Sequence, residues 1–126
     1  MNLNDNDFLK LGFEKIDSQK WDAFGDFCVL YQKNGLKLRH ISDRGELYLD
    51  VGLMSDADWF DIPLVAYCLN NAGEGILTIG EQYEFLSKHF HVMHDYLLLG
   101  SQMLVQERKH RQERRLKEVS GSYFNI

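Results

Sequence analysis

The sequence predicts an α+β domain: a three- to four-stranded antiparallel meander covered on one face by helices, in the order α-β-β-β-α-α, with one more helix if the last divides. Three observations carry this. Asn34-Gly35 and Ser42-Asp43-Arg44-Gly45 are turn signals lying between apolar, β-branched and aromatic segments. Glu46–Leu53 alternates apolar and polar residues. Across residues 78–99, Ile79, Tyr83, Leu86, Phe90, Met93 and Leu97 recur at spacings of four and three, an apolar stripe along one helix.

Taken in order, residues 2–15 read as a first helix, with Asn4 or Asp5 as its cap and Gly12 weakening its end. Residues 17–25 read as a polar connection holding Trp21 and Phe24. Phe27–Lys33 is the first expected strand. Residues 36–41 form the second, with Leu36, Leu38 and His40 on one face and Lys37, Arg39 and Ile41 on the other. In the third, Leu47, Leu49, Val51 and Leu53 face the core, and Glu46, Tyr48 and Asp50 face water. Residues 54–61 form an acidic loop. Asp61 then caps a helix with Pro63 in its first turn, ending near Asn70-Asn71-Ala72-Gly73. Gly100-Ser101 either bends the long helix or breaks it. A charged segment follows, and Tyr123 and Phe124 dock the end.

At 126 residues, 44% hydrophobic, the chain is long enough for one core without disulfides or metals, and a single domain over 1–126 is expected. No apolar run reaches the ~20 residues that span a bilayer, so no membrane contact is expected. The polar, acidic first residues differ from a secretory signal, which implies a cytoplasmic protein. Cys28 and Cys68 lie in apolar surroundings and read as buried thiols.

The net charge of −5 is unevenly spread. Residues 107–118 hold six Lys/Arg and three Glu, leaving eight Lys/Arg against sixteen Asp/Glu elsewhere. An acidic body disfavours direct nucleic-acid binding and suits a basic protein partner.

Four constellations are candidates for chemistry. His89, His91 and His94 form H-x-H-x-x-H, and His91, His94 and Asp95 have the helical spacing of a two-His, one-carboxylate metal site. Surface histidines on the polar side of a core helix are the plainer expectation, and His40 reads as a packed, hydrogen-bonded histidine. Asp50, Asp56, Asp58 and Asp61 could do acid/base work only if burial separated their pKa values. A solvated acidic loop is expected instead. Arg108, Lys109, Arg111, Arg114, Arg115 and Lys117 are basic, but Glu107–Arg111 and Glu113–Lys117 are i,i+4 pairs, and no aromatic residue is interleaved for base stacking. The expected role is a solvated helix end, or a contact with the acidic body of a second copy. Finally, Trp59 and Phe60 stand among carboxylates. They read either as a lid folded over the sheet or as anchors for a partner offering Arg and Lys. No catalytic residue, metal ligand or cofactor is assigned, and the chain lacks a nucleophile elbow, a P-loop and a glycine-rich dinucleotide fingerprint.

Residues 24–65 carry FGDFCVLYQKNGLKLRHISDRGELYLDVG and then DWFDIPLV. In this run a strand leads into R-x-x-x-D-R-G (Arg39, Asp43, Arg44, Gly45). A strand with an internal Asp (Asp50) follows, then Asp58-Trp59-Phe60-Asp61 stepping into a helix. This resembles small bacterial immunity proteins of polymorphic-toxin and contact-dependent growth inhibition systems. The resemblance covers about a third of the chain and carries over no catalytic residue. It implies a non-catalytic protein that binds and blocks a cognate toxin domain, without a cofactor. Charge alone adds that a nuclease with a basic cleft would fit. The partner-binding residues expected on this reading are Arg39, Arg44, Asp50, Asp56, Asp58, Trp59 and Asp61. The alternatives are a module that dimerises through its helical C-terminal half and a metal-dependent hydrolase at His91, His94 and Asp95.

Overall fold

The computed structural model describes residues 2–21, 25–70 and 77–124. Helix α1 (Asp5–Lys10) leads into strands β1 (Glu14–Lys20), β2 (Phe27–Lys33), β3 (Leu36–Asp43), β4 (Glu46–Leu53) and β5 (Phe60–Asp61), then helices α2 (Ile62–Asn70) and α3 (Ile79–Phe124). The strands form one antiparallel sheet in chain order, β1 to β5. The α+β class holds, and the meander is flanked by one further strand on each side.

The first of these strands corrects the sequence reading. The first helix stops at Lys10, and part of the expected helix and polar connection is β1. Asn4 caps α1 reciprocally with Asp7, each side chain bonded to the other's backbone N–H. Gly12, at φ +90°, then turns the chain back. Every residue of β1 is exposed, so it has no apolar face to leave a period in the sequence. Backbone pairing with β2 holds it, with an irregularity in register between Lys15 and Asp17. Phe24 lies outside the described residues.

The β2–β3 and β3–β4 hairpins each turn on two residues with positive φ: Asn34 and Gly35 at 50° and 85°, Arg44 and Gly45 at 54° and 80°. That geometry matches the right-handed twist of the strands it joins. The second turn is therefore tighter than expected, and β3 runs on to Asp43, paired with Glu46.

The core fills one side of the sheet. Tyr31, Leu36, Leu38, Leu49 and Val51 meet Phe8, Phe13, Phe60, Ile62, Leu64, Val65 and the α3 stripe of Leu86, Phe90, Met93, Leu97 and Leu104. Each large apolar side chain so buried contributes about 1.5–3 kcal/mol. Asp61 Oδ1 accepts from Leu64 N at 2.7 Å and caps α2, as expected. Thr78 and Glu81 form the corresponding box on α3. Helix α3 departs from helical geometry at His89 and again at Gly100, which settles the Gly100 question as a break followed by more helix. No helix among the described residues is long and apolar enough to cross a membrane.

Two polar residues in this core matter. Gln82, 2% exposed, accepts the Leu49 N–H at 2.8 Å and donates to Leu77 O at 2.9 Å. His40 lies between the Phe8 and Phe27 rings, at 5.4 and 4.9 Å between centroids. Its Nε2 has no hydrogen-bond partner among the described residues, which corrects the expectation of a hydrogen-bonded histidine.

Candidate functional site

The other face of the sheet is where the charged residues converge. Strand pairing places Leu30, Arg39, Asp50 and Asp61 in one row across β2 to β5. Arg39 donates from Nε and Nη2 to Asp50 Oδ2 at 2.9 and 2.7 Å. Asp50 is only 6% exposed, although the alternation in β4 points it away from the core. The expectation of a solvated Asp50 is overturned by the chain that follows. Residues 54–59 fold back across this outer face and cover it.

Gly52 makes that path possible. A Cβ on it would collide with the Asp58 carbonyl oxygen and lie 2.8 Å from Lys37 Cε. Lys37 Nζ reaches over to donate to the Asp56 carbonyl at 2.5 Å. The Trp59 ring then lies over both cations, 4.4 Å from Lys37 Nζ and 4.3 Å from Arg39 Cζ. Arg108, from α3, closes the loop from outside. It donates to Trp59 O at 3.0 Å and to Asp58 Oδ1 at 3.3 Å, with its guanidinium 5.1 Å from the Phe60 ring.

Electrostatics follow from this covering. Burial pushes the Asp50 carboxyl above its ordinary range and Asp61 adds to the rise, while Arg39 opposes it. Burial likewise lowers Lys37, with Asp56 and Asp58 opposing. Each carboxylate of the expected site is engaged within the chain. Asp50 holds Arg39, Asp56 accepts the Asp58 N–H, Asp58 meets Arg108, and Asp61 caps α2. The loop is therefore not a free acidic surface. Phe60 is core, 2% exposed, and Trp59 is a half-buried lid on paired charges.

Six of the seven expected binding residues are thus brought together: Arg39, Asp50, Asp56, Asp58, Trp59 and Asp61. Arg44 is not among them. It occupies the β3–β4 turn, where its backbone N–H and that of Gly45 donate to Asp26 at 2.9 and 3.3 Å. Asp26 also accepts from Ser42 Oγ, and these donors hold its carboxyl below the usual range, the Arg44 N–H first. Sequence reasoning missed Lys37, Gly52 and Arg108 as parts of the cluster. Gly52 inside an otherwise regular strand was a usable signal of close backbone approach. Arg108 had none, because its partner lies 50 residues away.

The histidine set does not assemble. His91 is exposed and His94 half-exposed, each beside the Phe90 ring, and His89 sits at a break in α3 against Phe85. No three His, Cys, Asp or Glu side chains among the described residues are placed to share a metal. Further along α3, Glu107 pairs with Arg111 at 3.8 Å, as expected, and with Arg114 at 3.1 Å. Arg111 also stands over the Tyr67 ring. The described start of the basic segment therefore lies against its own acidic body.

No family model matches the chain, and no solved structure matches it. The chain is 33% identical over 78 residues to the ubiquinone biosynthesis O-methyltransferase of Colwellia psychrerythraea. That match covers 62% of this chain and 29% of the methyltransferase, so the chain spans less than a third of that relative's length.

Proposed function

We propose that the chain is a cytoplasmic, non-catalytic inhibitor that binds and neutralises a bacterial toxin domain with a basic surface, a nuclease being the class that suits it. The observation that carries this reading is an excess of acidic residues over the body of the chain. Outside residues 107–118, sixteen Asp/Glu face eight Lys/Arg. With the loop carboxylates engaged internally, further exposed acidic residues stand elsewhere on the outer side of the sheet. Asp43 and Glu46 are directly opposed across the β3–β4 hairpin, and both are exposed. Like charges placed so destabilise a hairpin, and a cationic partner relieves them. Glu14 and Asp17 add exposed carboxylates along β1, a strand that also carries Lys15 and Lys20.

The test is to express the toxic C-terminal domain encoded beside this chain's gene, with and without the chain. Restored growth together with a stable complex in sedimentation supports the reading. Undiminished toxicity, absence of a complex, or absence of any such gene overturns it.

A second reading, self-association through α3, is favoured by its exposed apolar residues. Val92, Leu99 and Met103 are 56%, 89% and 66% exposed. Residues 79–99 carry three Asp/Glu against one Lys, and the segment after Gly100 is basic. An antiparallel pair of copies would set the acidic half of one α3 against the basic half of the other. Sedimentation of the wild type and of Leu99→Glu tests this. A dimer lost in the variant supports the pairing, and a monomeric wild type dismisses it.

A further inference from the structure

The outer face holds a cavity of about 390 Å³ at the end opposite the Trp59 lid, lined among the described residues by Trp21, Asp26, Ile41, Ser42, Asp43 and Tyr48. Strand pairing brings Ile41 and Tyr48 side by side on this face. Trp21 is held near them because its backbone N–H donates to Asp26 O at 2.9 Å.

The lining has the composition of a cation receptor. Trp21 and Tyr48 supply aromatic surface and Ile41 an apolar floor, while two carboxylates stand at the polar end. Asp26 has both oxygens engaged by Ser42, Arg44 and Gly45 and already feels the Arg44 charge, so Asp43 is the carboxylate open to a further cation. The Asp43 side chain is exposed and makes no hydrogen bond or ion pair with the described residues, and it directly faces another carboxylate, Glu46. Aromatic surface with an adjacent carboxylate attracts a guanidinium or ammonium group from two directions, through the ring quadrupole and through charge. The same molecule already uses this chemistry at its other end, where Trp59 lies over Lys37 and Arg39 beside Asp50. There the cations are the chain's own.

We infer that the Trp21–Tyr48 cavity receives a cationic side chain of the protein partner, an arginine foremost because its flat guanidinium can stack and pair at once. This rests on the inhibitor reading and names the contact through which that partner is held. It also moves the centre of recognition from the Asp58-Trp59-Phe60-Asp61 step to the Asp43–Glu46 hairpin.

The test uses the whole isotope-labelled chain, titrated with N-acetylarginine amide and followed by NMR. The neutral isostere N-acetylcitrulline amide is the control. The expected result is a saturable shift of the Trp21 indole and of the Arg44 and Gly45 amides with the arginine probe alone. Asp43→Asn and Trp21→Leu each weaken the binding at least tenfold. Trp21 and Asp43 are both exposed, so the remaining resonances of these variants should keep their positions. An equal response to the citrulline probe, shifts centred on Trp59, or no saturable shift overturns the assignment. The two readings fail separately. If both variants neutralise the toxin with wild-type affinity, the inhibitor stands and the cavity assignment falls. If the arginine probe binds at Trp21 but no toxin is neutralised, the cavity stands and the inhibitor reading falls.

Discussion

At the scale of single residues, His40 ties stability to pH. It is 3% exposed between two phenyl rings, and burial pushes its pKa down to about 4, with Asp5 opposing. An unfolded imidazole takes up its proton near pH 6.5. Between these values the unfolded chain binds more protons than the folded one, so stability falls as pH drops from about 6.5 to about 4. The full effect is about 3 kcal/mol. Asp50 acts with the opposite sign, because its raised pKa lets the folded state take up a proton above the pH at which the unfolded carboxyl does. His40→Leu isolates the histidine. In urea unfolding at pH 7.5 and 4.5, the wild type should lose stability on acidification, and the variant should lose markedly less. Equal losses would remove His40 as the cause. Gly52→Ala is expected to cost about 1–3 kcal/mol, because Asp58 and Lys37 already occupy the space of the new methyl group. The Trp59 emission of that variant should shift to the red as the lid lifts, and an unchanged spectrum would mean that the loop accommodates the methyl group.

Gln82 shows what joins whole elements. Among the described residues the edge of β4 facing β5 is paired at Asp50 and Val51 alone, which leaves the Leu49 N–H to be met by α3. Gln82→Leu keeps the bulk and orphans that donor, so a loss of about 1–3 kcal/mol is expected in urea unfolding. A neutral result would mean that water or a shift of α3 replaces the amide. The same strand explains what the sequence could reveal. Strands β3 and β4 and the α3 stripe were legible because burial on one side leaves a period, β2 because it is β-branched and aromatic, the α2 cap from Asp61 and Pro63, and the tight turns because they demand Gly and Asn. Strand β1 was not, because it is held by backbone pairing and exposes every side chain. The two-residue β5 was too short to leave any pattern. The candidate site was legible as a list of residues and misleading as a surface. Asp50 obeys the outward alternation of β4 but is covered by a loop whose path depends on Gly52, Lys37 and Arg108, from three separate elements.

Across the whole molecule, charge is sorted into layers. The Trp59 end of the outer face is neutralised internally, with the α3 guanidinium of Arg108 on its rim. The Asp43–Glu46 end and the β1 edge carry exposed carboxylates. If a basic partner is recognised there, long-range attraction should act mainly on the rate of encounter, and close contacts on the rate of escape. Glu14, Asp17 and Glu46 do not line the Trp21–Tyr48 cavity, so neutralising them separates the two effects. The triple variant Glu14→Gln, Asp17→Asn, Glu46→Gln should associate with the toxin domain roughly tenfold more slowly at low salt. Its dissociation should change little, and its association should depend less on ionic strength than that of the wild type. Asp43→Asn, inside the cavity, should instead speed dissociation. Stopped-flow association across a salt series measures both. An unchanged low-salt association rate in the triple variant would show that the partner approaches another face, with the sheet's acidic edge then serving solubility alone.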